Sequence, residues 1–273
     1  YLSRAQLKEG EARLADLMKA EQTDPSWRTG MALLNYYTAE SNWDKVVETG
    51  KKYIRKYPDN YYIGLKYANG LCETRQYGSC ISLLSKMQVL PNEGSYAGRA
   101  VYRAANLYQA MDQFSKRRYD AVLKSIKASE EWPENLGVGK PYDDQIDKRL
   151  EDYLEAKVYE KKGETAKAQT LLDKVSSHPT STRNFESAHL LTALALRDTG
   201  KQAEADKLVA SWKKDFPESK PAQWCAAVYH GNMDQARELL SSRYASNETT
   251  PWETGYRDTN FDLIARLFSE VPR

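Results

Sequence analysis

Residues 33–53 read LLNYYTAESNWDKVVETGKKY, and residues 67–87 read YANGLCETRQYGSCISLLSKM. At an offset of 34 the two stretches align Leu33 with Tyr67, Tyr37 with Leu71, Trp43 with Tyr77, Val46 with Cys80 and Tyr53 with Met87. Each set gives two core positions of a first helix, an aromatic residue opening a second helix, a compact residue where the helices cross, and an apolar closing residue. A period of about 34 residues is that of a tetratricopeptide helix–turn–helix unit.

The pattern continues outward from this pair. Ala188, Leu191, Leu194 and Ala195 form a stripe at helical spacing, Gly200 stops that helix, and Ala205, Val209 and Trp212 stripe the next one. Pro217 closes the unit as Pro58 closes an earlier one, because proline cannot donate to a helix ladder. Looser copies carry Tyr153, Ala156, Tyr159, Gly163, Ala168 and Leu172, and then Trp224, Ala227, Gly231, Ala236 and Leu239-Leu240. Between them a longer unit opens its second helix at Tyr119, which is 42 residues after Tyr77. Leu2 to Met18 reads as a leading helix with Leu7, Leu14 and Met18 on one face, and Phe261, Ile264, Leu267 and Phe268 as a terminal one.

One helix pair cannot hide its apolar stripe alone, so such pairs stack on their neighbours. The expected fold class is therefore all-α: a tetratricopeptide-like α-solenoid, a right-handed superhelix of antiparallel helix pairs. A single domain is expected over residues 1–273, with a leading helix over 1–22 and helix pairs over 25–58, 60–91, 94–133, 142–177, 183–217 and 219–243. A capping helix is expected over 257–271.

Composition bounds the function. The 40 basic and 38 acidic residues leave a formal charge of +2, without the clustered Lys and Arg that nucleic-acid binding needs. No run approaches the ~18 consecutive apolar residues of a membrane span. Cys72, Cys80 and Cys225 make neither a disulfide framework nor a zinc motif. His178, His189 and His230 lack metal spacing, and His189 reads as a hydrogen-bonded structural histidine. No Gly-x-Ser-x-Gly elbow is present. Gly137-Val138-Gly139-Lys140 lacks the spacing of a phosphate loop, so Gly137 and Gly139 read as turn residues with positive φ and Asn135 as a side chain satisfying backbone groups in that loop. Asp143, Asp144 and Asp147 sit where a helix begins and complement its dipole. Cys80 reads as a small buried hydrophobe.

The segment Leu90-Pro91-Asn92-Glu93-Gly94, then Gly98 to Arg103, then Trp132-Pro133-Glu134-Asn135-Leu136-Gly137-Val138-Gly139-Lys140-Pro141-Tyr142 with Asp144, Asp147 and Arg149, resembles the C-terminal tetratricopeptide region of large bacterial proteins of unknown function. In that family the repeats follow a β-rich domain compared with carbohydrate-active folds. The resemblance implies a bacterial origin, periplasmic or cytoplasmic, and an upstream domain. It assigns no catalytic residues.

Candidate binding residues fall on first helices of pairs. Asn35 and Asn69 occupy the same place in successive repeats, facing the groove of such a stack. The family of chaperone-tail binders uses a similar clamp of Asn and basic residues, but Met31 stands here where its basic residue is expected. Arg99 and Arg103 lie on one helix face, suited either to a carboxylate or phosphate or to structural ion pairs, such as Arg103 with Glu93 or Asp144. Tyr36, Tyr62 and Tyr102 are candidates for an aromatic lining, with Tyr37 in the core. The expected function is a non-catalytic scaffold that binds a protein or peptide, including its own upstream domain, with no cofactor or metal. The alternative is an accessory region of a carbohydrate-processing enzyme whose catalytic domain lies elsewhere.

Overall fold

The computed structural model describes residues 1–91, 96–180, 183–245 and 258–270. The turn Asn92-Glu93-Gly94, with Glu93 as a partner for Arg103, and residues 257 and 271 of the expected cap lie outside them. Among the described residues the fold is all helical, without strands. The elements are α1 (Leu2–Ala5), α2 (Gly10–Thr23), α3 (Trp27–Ala39), α4 (Trp43–Lys56), α5 (Tyr61–Glu73), α6 (Tyr77–Leu84), α7 (Ala97–Ser115), α8 (Tyr119–Ser129), α9 (Arg149–Lys162), α10 (Thr165–Ser176), α11 (Ala188–Asp198), α12 (Gln202–Asp215), α13 (Lys220–Tyr229), α14 (Met233–Ala245) and α15 (Phe261–Glu270). Short 3-10 turns cover Glu134–Leu136 and Asp143–Gln145.

Six helix pairs share one reversal. Ser41, Arg75, Arg117, Gly163, Gly200 and Gly231 each stand between paired helices with φ from 51° to 83°. Each amide donates to the carbonyl three residues back. The following amide donates to the carbonyl five residues back, as Asn42 to Tyr37 and Gln76 to Leu71, at 2.7–2.9 Å in all six. This is the Schellman arrangement, which satisfies the last carbonyls of a helix as the chain turns away. Asn42 then caps α4 by accepting from the Lys45 amide. Ser26 and Asn60, 34 residues apart, cap α3 and α5 in the same way.

The reversals set the register of burial. Five residues after each stands Val46, Cys80, Val122, Ala168, Ala205 or Ala236, none more than 2% exposed. Seven residues before each stands Leu34, Ala68, Ala110, Ala156, Ala193 or Trp224, also buried. Apart from Leu34 and Trp224, these residues are Ala, Val or Cys, whose compact side chains allow close helix approach.

The chain divides into two compact units, one of Tyr1–Gln109 with Ala128–Lys140 and one of Ala110–Lys127 with Pro141–Arg273. In the first unit α4 packs on α3 and α5, and α3 packs directly on α5. The leading helix expected over 1–22 is broken. Gly10 adopts φ +52°, separating α1 from α2, and Leu7 is left 87% exposed rather than on a common face with Leu14. α1 and α2 share an apolar cluster that includes Ala5, Leu17, Leu2 and Leu14, and buried Asp16 adds a polar tie, accepting from Arg4 Nε at 2.8 Å and pairing with Lys8 at 2.8 Å. The bonds from Arg4 and Lys8 hold the Asp16 carboxyl well below the usual range.

In the second unit α9, α11 and α13 follow the same scheme, each first helix touching the next as well as its own partner. Arg149, buried at the start of α9, binds Asp147, Glu186 and Thr192. Asp147 accepts from the Arg149 amide at 3.0 Å, which ties down the helix start, whereas Asp143 and Asp144 lie in a separate 3-10 turn before α9 rather than at its first turn as expected. Burial pushes the Asp147 carboxyl up, but the Arg149 bonds outweigh it and leave the group below its ordinary value. Three consecutive residues before α11 reach three separate parts of the chain. Phe185 packs edge-on to Trp212 and Phe216, Glu186 pairs with Arg149, and the Ser187 amide donates to Asp258 at 2.6 Å. Phe261 of α15 packs against Trp224 of α13, with ring centres 5.1 Å apart.

Candidate functional site

α3 and α5 present matching stripes. Asn35 and Asn69 stand six residues before Ser41 and Arg75, on packed neighbouring helices. Both are exposed, and neither carboxamide has a hydrogen-bond partner among the described residues. Seven residues earlier, on the same faces, stand Arg28 and Tyr62. Arg28 is exposed with its guanidinium 4.6 Å from the Trp27 ring centre. Tyr62 is 52% exposed and its ring lies 4.2 Å from that of Tyr61. Lys66, between Tyr62 and Asn69, is half-buried.

The remaining candidates are part of the framework. Tyr36 is buried on α3, edge-on to Tyr37 at 5.6 Å, and offers little ring surface. Arg99 is buried near the start of α7. It donates to the Ser129 carbonyl at 2.6 Å and its guanidinium sits 4.5 Å from the Trp132 ring centre. Tyr102 is buried beside it and donates to Glu131 at 3.2 Å. Burial first, and then Glu131, raise the Tyr102 phenol above its usual value. Arg103 is half-buried one turn further along. The structure thus brings Arg99 and Tyr102 together as a clamp on the end of α8, and Asn35 and Asn69 together through the packing of α3 on α5. The carboxamide register ends after two pairs, because α7 carries wholly buried Met111 at that place.

The Trp132–Gly137 string has an architectural task that sequence spacing did not disclose. The Asn135 side chain donates to the Leu84 and Met87 carbonyls, at 2.9 and 2.7 Å, and the Asn135 carbonyl accepts from Val89 at 2.8 Å. Asn135 therefore satisfies the end of α6 rather than its own loop. Gly137 has φ +67°, and a Cβ there would fall 2.6 Å from the Val89 carbonyl oxygen, so only glycine fits. Gly139 is not left-handed and has open space around it, contrary to the positive φ expected of it.

His189 also departs from expectation. It is buried, its Nε2 has no hydrogen-bond partner among the described residues, and it packs edge-on to Phe185 at 5.4 Å. Burial, and next the charge of Arg149, push it down to about 4. Among the described residues no group of three His, Cys, Asp or Glu is placed to hold a metal, and no helix is long and apolar enough to cross a membrane. No protein-family model matches the chain, and no curated protein matches it in sequence.

Proposed function

We propose that this chain is a non-catalytic scaffold of tetratricopeptide type that binds a protein or peptide across α3 and α5. The observation that carries the reading is the pair Asn35 and Asn69: two exposed carboxamides at one register of adjacent helices, with no partner of their own. Asparagine is a poor helix former, and its exposed side chain adds nothing to the packing. Each carboxamide offers two N–H donors and an acceptor, the complement of an extended peptide backbone. Exposed Tyr62 supplies apolar area with a polar tip beside them. Stacking of the pairs into a right-handed superhelix would line these side chains along its hollow face, and the resemblance to bacterial repeat regions fits the same architecture.

The test is a screen of the full chain against a displayed peptide library, followed by titration of the selected peptides. Changing both Asn35→Ala and Asn69→Ala should weaken binding about tenfold or more, in keeping with hydrogen bonds each worth about 1 kcal/mol, and should leave the melting temperature unchanged. Peptides that bind the double variant as tightly as the parent would overturn the reading.

A further inference from the structure

Cys72 and Cys80 read as unrelated in sequence, yet the reversal at Arg75 folds one back onto the other. Cys72 lies in the last turn of α5 and Cys80 at the crossing position of α6. Their Sγ atoms are 3.1 Å apart, and Cys80 Sγ also donates to the Ala68 carbonyl at 3.3 Å. Both are buried, and neither is disulfide-bonded in the structure. The equivalent positions in the neighbouring pairs hold Thr38 with Val46 and Phe114 with Val122, so the meeting place belongs to the repeat and the sulfurs belong to this pair alone.

We propose that Cys72 and Cys80 are a disulfide-forming pair that covalently joins α5 to α6. A disulfide is about 2.05 Å long, so closing it requires the sulfurs to move by only about 1 Å. α6 is eight residues long, and its short ladder can accommodate such a shift. The oxidant is a small disulfide of the glutathione class, met as the hairpin folds or opens locally. One cysteine thiolate attacks a glutathione disulfide sulfur and expels a glutathione thiolate. The other cysteine sulfur then attacks the resulting mixed disulfide and expels the second glutathione. The two thiols lose two protons and two electrons, and glutathione disulfide is reduced to two glutathiones. Cys225 sits buried on α13 near the Ser187 carbonyl, and burial pushes its thiol up, which makes it the internal reference.

The experiment equilibrates the full chain with oxidised glutathione, alkylates it in denaturant, and digests it with trypsin without reductant. Cleavage after Arg75 separates residues 67–75 from 76–86. The expected product is these two peptides linked, two hydrogens lighter than their sum, with Cys225 alkylated, and reductant should release both peptides. Recovery of both peptides alkylated or carrying glutathione, or a link from either to Cys225 or to a second chain, would overturn the proposal. Cys72→Ser should abolish the linked species. If that variant does not fold, the map of the parent chain decides alone.

Discussion

The backbone of Gly30 lies directly against the ring of Tyr53: a Cβ built on Gly30 would fall 2.4 Å from Tyr53 Cδ1. One period later Gly64 lies against Met87, with its added Cβ 2.4 Å from Met87 Cε. The repeat reproduces the contact, but the knobs differ. The Tyr53 ring is rigid, buried, and tethered by its hydroxyl to Glu21 at 3.2 Å, whereas Met87 meets Gly64 with the far end of a flexible chain. Gly30→Ala should therefore destabilise the fold by about 1–3 kcal/mol through overpacking. Gly64→Ala should cost less than half as much. Urea titrations of the two variants followed by circular dichroism check the contrast, and equal losses would refute it.

The six reversals invite a stabilising change. Ser41 and Arg117 are exposed and hold φ +51° and +57°, a conformation costing a side-chain-bearing residue about 1 kcal/mol or more. Glycine already occupies the corresponding place in the last three pairs. Ser41→Gly and Arg117→Gly should each gain up to about 1 kcal/mol, less the entropy that glycine loses on folding. Thermal melting should register each as an upward shift.

Asn135 predicts a long-range cost. Its two donated bonds reach carbonyls 51 and 48 residues earlier in the chain. Asn135→Ala removes both and should cost about 2 kcal/mol. Hydrogen exchange at the Val89 amide, which donates to the Asn135 carbonyl, should accelerate in the variant. An unchanged rate would mean the clasp does not hold the end of α6.

His189 sets a pH dependence of definite sign. Its folded value of about 4 lies below the ordinary 6.5, so the unfolded chain binds a proton that the folded chain refuses. This contribution is neutral above pH 6.5 and erodes stability as the pH falls from there through 4, by at most about 3 kcal/mol. The His189 ring resonance should show no titration between pH 7 and 5.5 in the folded protein. A midpoint near 6.5 would contradict its burial.

Much of the helical order was legible because the apolar spacing and the aromatic starts at Trp43, Tyr77 and Tyr119 are local signals. The glycine stop at Gly200 was legible for the same reason, and Gly163 and Gly231 fell in the looser copies of the pattern. Ser41, Arg75 and Arg117 were not, since nothing in a serine or arginine announces a left-handed backbone. The site was readable only in part. Asn35, Asn69 and Tyr62 are exposed, but Arg99, Tyr102 and Tyr36 are amphipathic or long side chains whose facing is decided by neighbours far along the chain, Ser129, Glu131 and Trp132 among them. Cys72 and Cys80 looked unpaired because their meeting depends on a reversal that no glycine marked.

The chain leaves the first compact unit after Gln109 and returns to it for residues 128–140. No single scissor cut can therefore part the two units. The shortest unbroken pieces that contain each are 1–140 and 110–273, and both must carry residues 110–140. A gene truncated anywhere in that shared stretch, or a protease acting there, would strand part of one unit inside the other's fragment. Separate expression would call for splicing the returning strip onto residue 109 by a new linker rather than choosing a better end point.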